Sequence, residues 1–150
     1  MIDKSRPRFC MAVQDGMRAF ITVGSTKFDA LVQTVLSQPV LDSLRLEGYS
    51  DIVVQCGKSH IEGFADSETL WTFERHGVNV HMWRFKPSLE EEYNDADLVI
   101  SHAGSGTILD VLRKGKPMIV IPNPTLLDNH QQELAEALST LGHLKVTTVR

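Results

Sequence analysis

From Ser101 to Thr107 the chain reads Ser-His-Ala-Gly-Ser-Gly-Thr, and an apolar-periodic stretch follows at once. Glycines and hydroxyls at the mouth of a helix suit an anion. Gly104 and Gly106 carry no side chain, so a ligand can approach the backbone closely. The first turn of a helix leaves N–H groups unpaired and carries a partial positive charge, which phosphates exploit. Ser105 and Thr107 add hydroxyl donors, so a diphosphate could be held here without a metal or a lysine. The plainer reading of the same glycines is a tight turn before a capped helix. Neither the GxGxxG nor the GxxxxGK[ST] pattern is present, and the segment lies late in the chain, which weighs against a dinucleotide or ATP.

Other polar residues cluster around this segment. His102 could donate to a phosphate or serve as an acid for a leaving group; a turn histidine bonded to backbone is the alternative. Asp110, one turn into the helix, could accept both hydroxyls of a ribose, or be a surface acid. Asn129, His130, Gln131 and Gln132 open the next predicted helix. Amides both donate and accept, which suits sugar hydroxyls, although a polar helix start is commonly a solvated cap, and Asp128 could be that cap. His60, His76, His81, His130 and His143 show no metal-ligand spacing, so no metal and no cofactor are expected. Trp71 and Trp83 read as packing residues.

Alternating strands and helices must position these groups. Ala19 to Val23 is a short apolar, β-branched run closed by Gly24. Phe28, Leu31, Val32 and Val35 recur at helical spacing, Pro39 breaks or restarts the helix, and Gly48 ends it. Asp51–Cys56 is a second strand. The stretch from 58 to 76 is harder to read; Glu68 to Arg75 could pair as an extra strand beside a strand over Val78–Phe85. Ser88 is expected to cap a short helix, with Glu91 at the capping-box position. A strand at Leu98–Ile100, a helix over Gly104–Lys114, a strand at Pro117–Ile121, a helix over Asn129–Leu141 and a strand at Leu144–Val149 complete the pattern. Such alternation predicts an α/β fold: a Rossmann-like, mostly parallel sheet with helices on both faces. Ligands then collect beyond the carboxyl ends of the strands, where Ser101–Thr107 lies.

Bulk properties agree. A chain of 150 residues, 42% hydrophobic and 23% charged, fits one globular domain. A net charge of −4 argues against nucleic acid as a partner, and Arg113, Lys114 and Lys116 read as a solvated helix end. Cys10 and Cys56 make no disulfide framework, which favours a reducing compartment. No apolar run approaches the roughly 18 residues of a membrane-spanning helix. Residues 1–16 lack periodicity and are expected to form a poorly ordered extension to a domain over 17–150.

Taken together, SHAGSGTILDVLRKGKP followed by DNHQQELAEAL resembles the catalytic subunits of the dolichol-pathway UDP-N-acetylglucosamine transferase. FITVGSTKFDALV, VVQCGKS and WRFKPSLEEEYNDADLVISHAG match the same pattern, so the likeness covers about residues 17 to 144. That family is similar to the C-terminal half of MurG, a GT-B enzyme of glycosyltransferase family 28. The resemblance implies a UDP-sugar-binding domain with the diphosphate held by His102, Gly104, Ser105, Gly106 and Thr107, facing Gly24, Ser25 and Thr26 across the cleft. It implies that Phe85 and Lys86 border the uracil, partly through backbone groups. Asp110, where relatives often have Glu, is implied to bind the ribose, and Asn129, Gln131 and Gln132 belong on the sugar side, the two glutamines holding the N-acetylglucosamine hydroxyls.

The implied reaction is inverting transfer of the second N-acetylglucosamine to dolichyl-diphosphate-N-acetylglucosamine, on the cytosolic face of the endoplasmic reticulum. A membrane-anchored partner subunit would supply the acceptor side, and the chain alone would be inactive. Relatives usually continue past a segment like GHLKVTTVR with further helix, implied to pack on that partner. The alternatives are a binding module without catalysis that has lost its partner, and a UDP-sugar 2-epimerase on the same fold.

Overall fold

The computed structural model describes residues 16–122 and 145–146, with Ser105, Lys145 and Val146 described by their backbone alone. Strand β1 spans Met17–Thr22. Ala19, Phe20 and Ile21 at its centre are fully buried, as an interior strand covered on both faces requires. Helix α1, Asp29–Val35, buries Leu31, Val32 and Val35 at the spacing read from the sequence. Pro39 restarts rather than breaks the chain: it sits in the first turn of α2, Gln38–Leu46, where a missing N–H costs nothing. Gly48, at φ +102°, turns the chain into β2, Tyr49–Gln55.

Next comes an antiparallel hairpin. Strand β3, Leu70–Arg75, pairs with β4, Val78–Trp83. Its two-residue turn, His76–Gly77, has positive φ at both positions, the geometry that matches strand twist in tight hairpins. The extra strand suggested by Glu68–Arg75 is therefore present, two residues shorter. Helix α3, Glu90–Asp95, carries three glutamates in its first turn, where the helix dipole favours them. The expected capping box is not formed. Leu89 is the cap residue and no side chain caps the helix; Ser88 instead accepts a bond from the Glu90 N–H at 3.2 Å. The helix starts one residue later than expected, so the hydroxyl meets the first helical amide rather than the second or third.

Strand β5, Leu98–His102, helix α4, Ser105–Arg113, strand β6, Met118–Ile121, and strand β7, Lys145–Val146, follow. The predicted helix over 129–141 and residues 1–15 of the predicted extension lie outside the described residues. The predicted last strand is described only at Lys145–Val146.

Among the described residues, seven strands form one sheet in the order β3-β4-β2-β1-β5-β6-β7. Only the β3–β4 pairing is antiparallel. Helices α1 and α2 cover one face, over a core that includes Ile21, Val23, Ile52, Val54, Leu31 and Leu41. The other core gathers Phe20, Val53, Trp83 and Val99 with Tyr93 of α3 and Ile108 and Val111 of α4. Phe20 stacks on Trp83 at 6.1 Å and meets Tyr93 edge-on at 5.8 Å, so Trp83 is a packing residue as expected. Strand β1 is central. The chain leaves it toward β2 on one side and returns to its other side through β5, which makes the β1/β5 boundary a topological switch point.

Candidate functional site

Parallel β1, β2, β4 and β5 end on the same edge of the sheet, and their outgoing loops meet there. His102, the last residue of β5, is 7% exposed and stands between the two glycine turns. A Cβ on Gly24 would lie 2.9 Å from its Cε1, and a Cβ on Gly104 would lie 2.5 Å from its Nε2. Two glycines far apart in sequence are thus required by one imidazole. Burial pushes the His102 pKa down, while a hydrogen bond with the Thr22 backbone works the other way. The ring is therefore a neutral group near pH 7, and its Nδ1 is enclosed with no hydrogen-bond partner among the described residues.

Gly104 is the cap residue of α4, and no side chain caps that end. The first helical bond runs from the Ile108 N–H to the Gly104 carbonyl at 3.0 Å, so the amides of Ser105, Gly106 and Thr107 precede the ladder. A Cβ on Gly106 would meet nothing within 4 Å among the described residues. Among the described residues, this end of α4 is uncovered beside the switch point, with its dipole intact. It can hold an anion and stabilise negative charge that develops on a leaving group.

The first turn is used differently. The Gly24 N–H donates to Gln55 Oε1 at 2.9 Å and Thr22 Oγ1 at 3.2 Å. Both the N–H and the hydroxyl of Thr26 donate to the Val23 carbonyl, at 3.3 and 2.7 Å. Of the three residues expected in this turn, Gly24 and Thr26 spend these donors inside the protein, and Ser25 is the exposed one.

Phe85 follows β4 and is 53% exposed, a free aromatic face at the rim of an open groove of about 490 Å³. Lys86 is drawn back: its Nζ lies 2.8 Å from Glu92 Oε2 and 4.4 Å above the Trp83 ring. Its side chain is committed to α3. Asp110 is exposed, on the face of α4 shared by Gly106 four residues earlier, and lies 3.8 Å from Arg113. Burial, with the nearby Asp110 and Glu90 charges, raises the pKa of Tyr93 of α3, and its interaction with Thr107 works the other way. Thr107 and Asp110 thus share one surface facing α3. Asn129, Gln131 and Gln132 lie outside the described residues. No group of three His, Cys, Asp or Glu side chains suited to a metal occurs among the described residues. No described helix is long and apolar enough to cross a membrane.

Three residues were not singled out from the sequence. Gln55 ends β2, 2% exposed, and bonds Gly24 on both sides. Arg84 donates to the carbonyls of Gly57 (3.0 Å), Ser59 (2.8 Å) and Glu68 (3.0 Å), holding the long loop after β2 in place. Tyr93 reaches Thr107. The available signal was a polar residue inside an apolar strand, since a buried amide must be satisfied by something.

Comparison with known proteins gives the family and the fold. The model for the glycosyltransferase family 28 C-terminal domain matches residues 18–148. The UDP-N-acetylglucosamine transferase subunit ALG13 of Mus musculus is 41% identical over 133 residues, covering 89% of this chain. The matched stretch spans only 11% of that relative's own length. Among solved structures, an NMR structure of ALG13 superposes with a TM-score of 0.65 at 28% identity, covering 91% of this chain and 80% of that one. A crystal structure of MurG from Acinetobacter baumannii gives 0.67 at 24% identity, over 91% of this chain and 38% of that one, a likeness of fold alone.

Proposed function

The chain belongs to glycosyltransferase family 28, carrying its C-terminal domain, and from that premise we propose that it binds UDP-N-acetylglucosamine as the donor-binding part of a two-part inverting transferase. The diphosphate sits on the open N-terminus of α4 at Ser105, Gly106 and Thr107. Ser25 faces it from the first turn, Phe85 and the Lys86 backbone border the uracil, and Asp110 takes the ribose. Asn129, Gln131 and Gln132 hold the sugar. The acceptor is dolichyl-diphosphate-N-acetylglucosamine, and a membrane-anchored partner at the cytosolic face of the endoplasmic reticulum supplies the acceptor side. That partner carries the general base which inverting transfer needs near the acceptor hydroxyl.

One observation carries the reading. An uncapped helix end, with an empty side-chain position at Gly106, opens at the switch point of a parallel sheet. As the sugar leaves, negative charge grows on the β-phosphate, and fixed amides aimed at it lower the barrier. His102 is neutral at working pH, so it acts through hydrogen bonding and shape rather than as a cation. The name of the mouse relative supports the donor assignment.

Titration calorimetry with UDP-N-acetylglucosamine tests the binding, with heat expected at micromolar to millimolar ligand. Absence of heat from a folded sample at millimolar ligand overturns it. A transfer assay with and without membranes containing the partner tests the division of labour; transfer is expected only when both are present.

A further inference from the structure

Gln55 joins two loops that the proposed function assigns to different parts of one ligand. Its Oε1 accepts from Thr22 Oγ1 at 2.5 Å and from the Gly24 N–H at 2.9 Å. Its Nε2 donates to the Gly24 carbonyl at 2.8 Å and to the Arg84 carbonyl at 2.6 Å. Two donations and two acceptances fill the hydrogen-bonding capacity of a carboxamide. The orientation is also unambiguous, because flipping the amide would set its NH2 against the Gly24 N–H and its oxygen against two carbonyls.

The consequence is geometric. Gly24 begins the turn whose exposed residue, Ser25, faces the diphosphate. Arg84 is the residue from which Phe85 and Lys86 depart toward the base. The two loops leave strands β1 and β4, which are not neighbours in the sheet: β2 lies between them. Gln55, at the end of β2, spans that gap with one side chain. It is 2% exposed and cannot touch the ligand itself.

We propose that Gln55 is a positioning residue for the sugar nucleotide, holding the diphosphate-side turn and the base-side loop at the fixed separation that one nucleoside diphosphate requires. The inference rests on the donor reading above. It predicts a specific defect: a variant without the carboxamide keeps much of its affinity for either half of the ligand and loses the gain from having both halves linked.

The test uses the full chain and two probes, UDP and uridine, with affinities measured by ligand-observed NMR and calorimetry. Gln55→Met is close in size and makes none of the four bonds. Thr22→Val is near-isosteric and removes one of them, so it carries the test should Gln55→Met not fold. For Gln55→Met, UDP affinity is expected to fall tenfold or more while uridine affinity stays within about threefold; Thr22→Val should move the same ratio in the same direction by a smaller factor. A merely structural role would lower the melting temperature and leave the ratio of UDP to uridine affinity unchanged, and that result overturns the inference. Failure of the wild-type chain to bind UDP would instead overturn the donor reading, and with it the inference.

Discussion

Replacing Gly106 with alanine separates stability from binding. Gly106 lies in the first turn of α4, no positive φ holds it there, and a Cβ at this position meets no atom within 4 Å. The folded protein therefore accepts the methyl without a clash. Alanine is favoured over glycine in a helix by about 1 kcal/mol in the interior, and by roughly half that near an end. The variant should gain about 0.5 kcal/mol, which for a domain of this size is roughly 1–2 °C in melting temperature. Binding moves the other way. A helical Cβ tilts toward the N-terminus, into the space an anion on these amides must occupy. Displacing the phosphate from even one such amide removes a charge-assisted bond of roughly 1.5–3 kcal/mol, or about 10- to 100-fold in dissociation constant. Calorimetric titration with UDP and a thermal melt on the same samples read both quantities. An alanine variant that is at least as stable as wild type and binds UDP within twofold of it would show that Gly106 does not face the phosphates, and the site would have to lie elsewhere.

Gly104→Ala behaves in the opposite manner, since its methyl would lie 2.5 Å from His102 Nε2 and Gly24 stands close on the ring as well. Overpacking of this kind costs about 1–3 kcal/mol, measurable by urea denaturation, and the loss should shrink when His102 is also changed to alanine; equal losses in both backgrounds would rule out the imidazole as the obstacle. For His102 itself the folded-state pKa lies below the free value of 6.5, so the unfolded chain binds the proton more readily. Stability is then complete above about pH 6.5 and declines as pH falls from there toward the folded-state pKa. The difference in unfolding free energy between wild type and His102→Asn should therefore shrink on acidification from pH 7 to 5, and a difference that stays constant refutes the assignment. Tyr93→Phe removes the hydroxyl that interacts with Thr107, with an expected cost of up to about 1 kcal/mol in stability and a several-fold loss in UDP affinity. A double-mutant cycle with Thr107→Val should show coupling between the two positions, and strictly additive losses would place Tyr93 outside the site.

Local order was legible in the residues alone, for a local reason. Strand and helix periods are properties of neighbouring positions, so Ala19–Val23, the Leu31–Val35 face, and Gly104 and Gly106 at the start of α4 could be read in one dimension. Alternation then implied a parallel sheet with its ligand edge at the strand ends, and the family resemblance supplied the candidate chemistry. The fold set other features through contacts between distant positions. Nothing near Gly24 announces that its missing side chain makes room for His102, and nothing near Gln55 announces that its amide would bridge Gly24 and Arg84. The sequence does not show that Glu92 holds the Lys86 side chain, and Ser88 is the cap residue only of a helix that begins one residue earlier. Hydrogen-bond pairing and close packing depend on which strands become neighbours. That order, β3-β4-β2-β1-β5-β6-β7, is a property of the assembled sheet, settled only when both of its faces are buried together.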